Sequence, residues 1–517
     1  MFRDHNNLEF KGFGFFKKTP IMLGLICLLG LSLRGYFFTP DIPLTLDALG
    51  YFWYANDLSL LGHLPDYPSS NNGWPVFLSL FFSIFHFDNP LEYMVLQKSV
   101  SVTLSILTTI PVYLLSSRFF SKPYSVLGSL IFVIEPRIIQ NSLLGITEPL
   151  SILLLTTALY FFLSKNDKLV YVSFGIIALG ALVRSESLFV FFGFCVAYVV
   201  RYKLSKKSIL KLCIAVGIFI LVLSPMVLLR IQSTGSDGVI SRVVSGSGAI
   251  TDEHQQKSVS NTFMLVKNTS ENFIKFFGWA LIPFFIVFAP VGVFIMLKKR
   301  NYELISISII FLISLLPILY AFLRSISETR YFLPLYPIII VFTLLTIKQM
   351  SEKIKIRNLT ILCVIMFLIV SSLVFLHFKM PREDHEMEAL RIAKQVTSTA
   401  KVVNGYDPES KYLMVTKLMD AKKFPVLRQE IPLSVTPLPI EGFSSLDEYL
   451  KFGHNMGLTH LVLDDSKRTP IFFREIFNEN HIYPYITKIY DSAEHGYKYH
   501  VKIFKIDYEK MPLPKYN

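Results

Sequence analysis

The stretch LTLDALGYFWYANDL, Leu44–Leu58, sets one carboxylate, Asp47, among apolar and aromatic residues shortly after the apolar run Ile21–Phe38. A run of that length fits a helix crossing a bilayer, which needs roughly 20 residues. The stretch after it therefore belongs where a chain has just emerged from a membrane. Tyr51, Trp53 and Tyr54 are residue types that membrane interfaces use as anchors. Asp47 is different: no Lys or Arg occurs anywhere from Thr39 to Leu91, so a partner must come from elsewhere in the chain.

The rest of the sequence has the same texture. Of its 517 residues 52% are hydrophobic, 14% aromatic and only 17% charged, against about 25% charged in a soluble domain. This is a polytopic α-helical membrane protein. The net charge of +13 raises nucleic acid as a partner, but its distribution argues against that. Residues 379–517 carry 20 Lys and Arg against 19 Asp and Glu, and the excess sits in short loops between apolar runs, as orientation in a membrane requires. Cys27, Cys195, Cys213 and Cys363 all lie within apolar runs, so no disulfide framework is expected. A removable signal peptide is not expected either. The first run is too long for one, Arg34 interrupts it, and no small-residue cleavage site follows.

Eleven spans are expected, near 21–38, 92–117, 123–140, 149–164, 169–183, 186–200, 209–230, 276–297, 303–323, 331–347 and 359–378. One set of loops, with the N-terminal tail, holds about 20 basic residues, including Arg118, Lys165, Lys211, Lys298 and Lys348. That set is cytoplasmic by the positive-inside rule, which puts the N-terminus inside and the loop carrying Asp41, Asp47, Asp57, Asp66 and Asp88 outside. The stretch 169–200 is short for two full crossings, and the charges of Arg184-Ser185-Glu186 mark a break tolerated only where protein or a water-filled cavity shields the backbone. Trp74–Phe87, at 14 residues, is too short to span and fits a helix along the interface.

The expected domains are a membrane part, residues 1–380, and an extracytoplasmic α/β domain, residues 381–517. In the latter a helix is expected near Glu383–Thr399, with strands at 412–416, 459–465 and 499–507. Ser445 and Glu448 form a capping-box pattern opening a helix that Gly457 closes. Gly235–Gly248 reads as a flexible part of a long outer loop, and Asn268-Thr269-Ser270 is a glycosylation sequon on the same side.

A charge at bilayer depth costs about 2.5–3.5 kcal/mol on insertion scales and tends to face a cavity. Asp47, Glu135, Arg137, Glu148, Arg184, Glu186, Arg324, Glu328 and Arg330 all fall at outer ends of spans. Scattered structural charges have no need to share a side. Each still has a plain reading: Glu148 as an acid at a helix start, Arg184 and Glu186 as mutual partners at a helix break, the other arginines as interfacial anchors. No zinc spacing, nucleophile elbow or phosphate-binding glycine loop occurs.

Taken in order, five segments resemble those of the membrane-embedded GT-C glycosyltransferases, above all the protein O-mannosyltransferases and the lipid A aminoarabinose transferases. They are LDALGYFWYAND (46–57), NGWPVFLSLFFSIF (72–85), SLLGITEPLSILLLTTALYFF (142–162), ALVRSESLFVFF (181–192) and ETRYFLPLYPIII (328–340). The resemblance covers residues 1–380 and implies sugar transfer from a polyprenyl-phosphate donor to a protein or lipid acceptor. It implies Asp47 as general base and Arg330, Arg184 and Tyr331 at the donor phosphate. Glu148, Glu186, Tyr51 and Tyr54 would then contact substrate. Many relatives carry Asp-Glu where this chain has Asp47-Ala48; a single carboxylate leaves a divalent metal unassigned. The integral protein is expected in the plasma membrane. A transporter or lipid flippase would show paired internal repeats, which the sequence lacks; a third reading is a scaffold that presents the outer domain.

Overall fold

The computed structural model describes residues 19–44, 46–67, 69, 71–203, 205–238, 259–298, 301–323, 326, 328–353, 357–379, 388, 391–392, 395, 411–414, 442–465 and 469–511. Two compact units result. One comprises Met1–Phe38, Gly50–His86 and Val95–Phe378; the other comprises Thr39–Leu49, Phe87–Met94 and Lys379–Asn517. The division thus differs from a single cut near residue 380. Thr39–Leu49 and Phe87–Met94 go with the C-terminal unit because they pack on each other: Ile42, Leu44, Ala48, Leu49 and Met94 are buried, and the Leu44 amide points to Met94 Sδ at 3.5 Å.

The helices run in chain order as α1 (Thr19–Tyr36), α2 (Leu46–Leu61), α3 (Gly73–Ile84), α4 (Pro90–Leu107), α5 (Thr109–Ser116), α6 (Lys122–Ile134), α7 (Pro136–Ser142), α8 (Glu148–Phe162), α9 (Asp167–Val183), α10 (Ser187–Tyr202), α11 (Lys206–Thr234), α12 (Val259–Leu281), α13 (Phe285–Lys298), α14 (Tyr302–Ser314) and α15 (Leu316–Leu323). A 3₁₀ segment, Thr329–Leu335, then leads into α16 (Tyr336–Lys353) and α17 (Arg357–Lys379). Among the described residues six helical stretches are long and apolar enough to cross a membrane: 19–36, 90–116, 206–234, 302–323, 329–353 and 361–379. The run expected at 276–297 is instead two helices, α12 and α13, meeting at 105°. Pro283 lies at that break, where a residue without an N–H and with a fixed φ cannot continue a helix. Glu135-Pro136 ends α6 in the same way.

Helix ends follow from local chemistry. Asn166 caps α9 by accepting from the Lys168 amide at 3.0 Å, and Ser205 with Ser208 forms a capping box at α11. The packing pairs α8 with α9, α9 with α11, α10 with α14, α5 with α6, and α13 with α16. α16 lies at the centre, with Ile338, Ile340, Val341, Leu344 and Ile347 all buried. α1, α11 and α17 leave Leu28, Leu221, Leu229, Leu362 and Val370 exposed, the surface a lipid environment calls for.

Arg34 is fully buried in α1. Its Nε donates to Ser142 Oγ at 3.1 Å. Nη1 reaches the carbonyls of Gly30 and Val133, both at 3.2 Å, and Nη2 reaches Ser105 Oγ at 2.9 Å.

α13 and α16 touch backbone to backbone: a Cβ added at Gly292 would lie 1.8 Å from the Phe342 carbonyl oxygen. No rotamer relieves such an overlap. Gly292→Ala should therefore cost about 1–3 kcal/mol, the usual range for overpacking, read as a lowered unfolding midpoint in detergent. An unchanged midpoint would mean that the helices separate freely.

In the C-terminal unit, β1 (Lys411–Met414), β2 (Leu458–Asp464), β3 (Ile486–Asp491) and β4 (Val501–Ile506) form one sheet in the order β1-β2-β4-β3. β1 and β2 are parallel; β2 with β4 and β4 with β3 are antiparallel. Helices α18 (Leu446–Asn455) and α19 (Ile471–Phe477) cover it with Tyr449, Leu450, Phe473 and Ile476. Ser445 accepts from the Glu448 amide as expected. Glu448 Oε2 takes the Ser444 amide at 2.8 Å. Gly457 follows α18 with φ 75°. The helix expected near 383–399 lies largely outside the described residues.

Candidate active site

The break between α9 and α10 gathers the charges of unit one. Arg184 leaves helical geometry, at φ −146° and ψ 122°, and its side chain turns inward to 8% exposure. Nη1 donates to Glu148 Oε1 at 2.6 Å and to Thr147 Oγ1 at 3.2 Å; Nη2 donates to Glu186 Oε1 at 2.7 Å. Burial works against the charge on Arg184, but Glu186 and Glu148 outweigh it and hold the guanidinium's pKa above its ordinary value. Nε is buried without a hydrogen-bond partner among the described residues.

Glu148, fully buried, begins α8 with Pro149 behind it. An acid there favours the positive end of the helix dipole, and the geometry shows a specific partner as well. The turn before it is fixed at Gly145, whose carbonyl accepts from Trp74 Nε1 at 3.2 Å and from Gln97 Nε2 at 2.7 Å.

Tyr331, on the 3₁₀ segment, has two guanidiniums about its ring: Arg184 and Arg330, each 5.8 Å from the centroid. Arg330 also pairs with Glu328 and keeps 32% of its side chain exposed. Arg184, Glu186, Ser187, Ser314 and Tyr331 contribute to the lining of a cavity of about 50 Å³, with room for a few waters.

Of the residues expected at a site, Arg184, Glu148, Glu186, Arg330 and Tyr331 come together here. Tyr51 and Tyr54 on α2 are both buried, and Tyr51 lies within electrostatic reach of Arg184. Burial pushes the Tyr54 phenol up, against the lowering effects of a hydrogen bond with Asn72 and of Arg230. Asp47 is exposed in the first turn of α2 and belongs to the other compact unit. By spacing, Asp47, Tyr51 and Tyr54 share one face of that helix.

Glu135 and Arg137 act elsewhere. Glu135 caps α7 by accepting from the Ile138 amide at 2.8 Å. Arg137 donates to the Trp279 carbonyl at 2.5 Å and stacks on Phe375, 4.9 Å from its centroid. Arg324 lies outside the described residues. Sequence reading missed Thr147, Asn72 and Arg230; the only signal for Arg230 was a cation closing a long apolar run.

The residues around Arg184 do not fit a divalent metal, because the two carboxylates that would supply it are both turned to the guanidinium. Among the described residues no group of three or more His, Cys, Asp or Glu could hold one.

This polytopic helical membrane chain shares its fold with several solved membrane proteins. It is similar to the Archaeoglobus fulgidus oligosaccharyltransferase in complex with Zn and sulfate, with 13% identity, a TM-score of 0.57, and 86% of this chain and 68% of that one covered. The archaeal oligosaccharyltransferase AglB from the same organism, in complex with an inhibitory peptide and a dolichol-phosphate, gives 13% identity and a TM-score of 0.53 over 87% and 70% of the two chains. ArnT from Cupriavidus metallidurans bound to undecaprenyl phosphate gives 11% identity and a TM-score of 0.52 over 97% and 100%. Neither a protein-family model nor a curated protein sequence matches the chain.

Proposed function

We propose that the protein is a glycosyltransferase that moves a sugar from a polyprenyl-phosphate donor to a protein or lipid acceptor on the outer face of the membrane. The observation that carries this reading is the pair of arginines about Tyr331, beside a cavity, in a fold shared with proteins solved with dolichol-phosphate and undecaprenyl phosphate.

Asp47 takes the proton of an acceptor hydroxyl or amide. The acceptor's electron pair forms the new bond to the anomeric carbon. The bond from that carbon to the phosphate oxygen breaks, and the lipid phosphate departs with its electrons. Guanidinium groups suit the departing phosphate because they fork onto its oxygens. Glu148 and Glu186 offset the charge of Arg184, and Glu328 pairs with Arg330; Arg330, the more exposed of the two arginines, is the leading candidate for the phosphate, with Arg184 Nε as an additional donor. Glu186, 33% exposed, is placed for sugar hydroxyls; Tyr51 and Tyr54 offer faces for the ring.

In this reading the chain crosses the plasma membrane eleven times, with the N-terminus cytoplasmic and residues 381–517 outside. Purified protein incubated with a panel of polyprenyl-phosphate sugars should release lipid phosphate. Arg330→Ala should lower that release about 10²–10³-fold, as loss of one transition-state donor does. A flippase would release none from any donor.

A further inference from the structure

The link between α2 and α3 and the start of α3 touch the segments just ahead of both partners of the buried Arg184–Glu148 pair. Trp74 Nε1 holds Gly145 O at 3.2 Å, just ahead of Thr147 and Glu148. Gly73 presses on the end of α9: a Cβ there would lie 2.6 Å from the Leu182 carbonyl carbon and 2.7 Å from the Val183 nitrogen. Those two residues lead directly into Arg184. Asn71 Nδ2 donates to the Tyr51 hydroxyl at 3.2 Å, and Tyr51 lies within electrostatic reach of Arg184.

The same link is gripped from α11. Arg230, 5% exposed, donates from Nη1 to Asn72 Oδ1 at 2.5 Å and from Nη2 to the Ser69 carbonyl at 2.9 Å. Asn72 is fully buried and hydrogen-bonded to Tyr54. A guanidinium near the end of a long apolar helix is expensive, and a planar fork that spans a side chain and a main-chain oxygen is geometry a lysine does not reproduce.

We infer that Arg230 is a positioning residue: it holds the α2–α3 link against α9 and so fixes the Arg184–Glu148 pair. It touches neither residue of that pair by any bond described above; its effect passes through Asn72, Gly73 and the Leu182–Val183 peptide. The consequence for sugar transfer rests on the proposed glycosyltransferase activity, whereas the geometric consequence does not.

The test uses the full chain in lipid nanodiscs with Arg230→Ala and the milder Arg230→Gln. In a cryo-EM structure of either variant, Arg184 should have left Glu148, with N···O beyond about 4 Å, the limit of an ion pair. An Arg184–Glu148 contact unchanged from 2.6 Å would overturn the inference, whatever the activity.

The second arm is a double-variant cycle on kcat with a polyprenyl-phosphate sugar. Arg230→Ala should lower kcat about 10- to 100-fold through misplacement alone, and should add about twofold at most once Arg184 is Ala. Equal losses in both backgrounds mean independent residues and overturn it. Should the unaltered protein transfer no sugar, the glycosyltransferase reading fails, and the structural arm still decides the positioning.

Discussion

Asp47→Asn should lower sugar transfer about 10²–10⁴-fold, the contribution of a well-placed general base, while the folded protein is recovered in normal amount. The amide keeps the size and hydrogen-bonding reach of the carboxylate but takes no proton at neutral pH. Asp47 is exposed in the first turn of α2, where its charge gives the helix about 0.3–1 kcal/mol through the dipole. Asp47→Glu should retain part of the activity, which separates the need for a carboxylate from the need for a shape. Released lipid phosphate and donor binding are measured on the same preparations. Full transfer by Asp47→Asn would remove the residue from the chemistry and leave it as a helix-start acid.

Arg184→Ala should destabilise the protein by about 3–5 kcal/mol, because it strands a carboxylate that has no access to water. Glu148 is the stranded group, at 0% side-chain exposure; Glu186, at 33%, can turn to solvent. A lowered unfolding midpoint in detergent reads this out. The decisive companion is Arg184→Met with Glu148→Leu. Replacing both members of a buried pair by apolar groups is often neutral or stabilising, so the double variant should unfold near the original midpoint and still transfer no sugar. A midpoint unchanged in Arg184→Ala alone would mean that Glu148 sits there protonated or hydrated and that the pair holds nothing together. Recovered transfer in the double variant would place both residues outside the chemistry.

Much of the helical architecture could be read before any coordinates, because the bilayer dictates length and apolarity. The break at Arg184-Ser185-Glu186 was legible for the same reason: two charges inside an apolar stretch need shelter. The bend between α12 and α13 was less so. Pro283 was in plain view, but prolines also occur inside spans such as α11, where Pro225 is accommodated, and nothing local distinguishes the two. β3 escaped because its alternation of apolar and polar residues is interrupted where the register slips between Lys488 and Tyr490. At the site, the sequence picked out the charged residues but did not say which of them meet. That Arg184 would bind Glu148 as well as Glu186, and that Tyr331 would meet Arg184 as well as its neighbour Arg330, depends on contacts across 36 and more positions. Arg230 was read as the edge of a span because a cation at the end of an apolar run ordinarily is one.

The satisfied guanidinium of Arg34 bears on how the chain is made. Its partners beyond its own helix lie 71, 99 and 108 positions downstream. At translation speeds of about 5–20 residues per second, the ribosome needs on the order of ten seconds to produce them. Throughout that interval α1 carries a cation whose partner oxygens outside that helix do not yet exist. The insertion machinery, a lipid head group or water must shelter it meanwhile, so α1 reaches its final surroundings well after it is made.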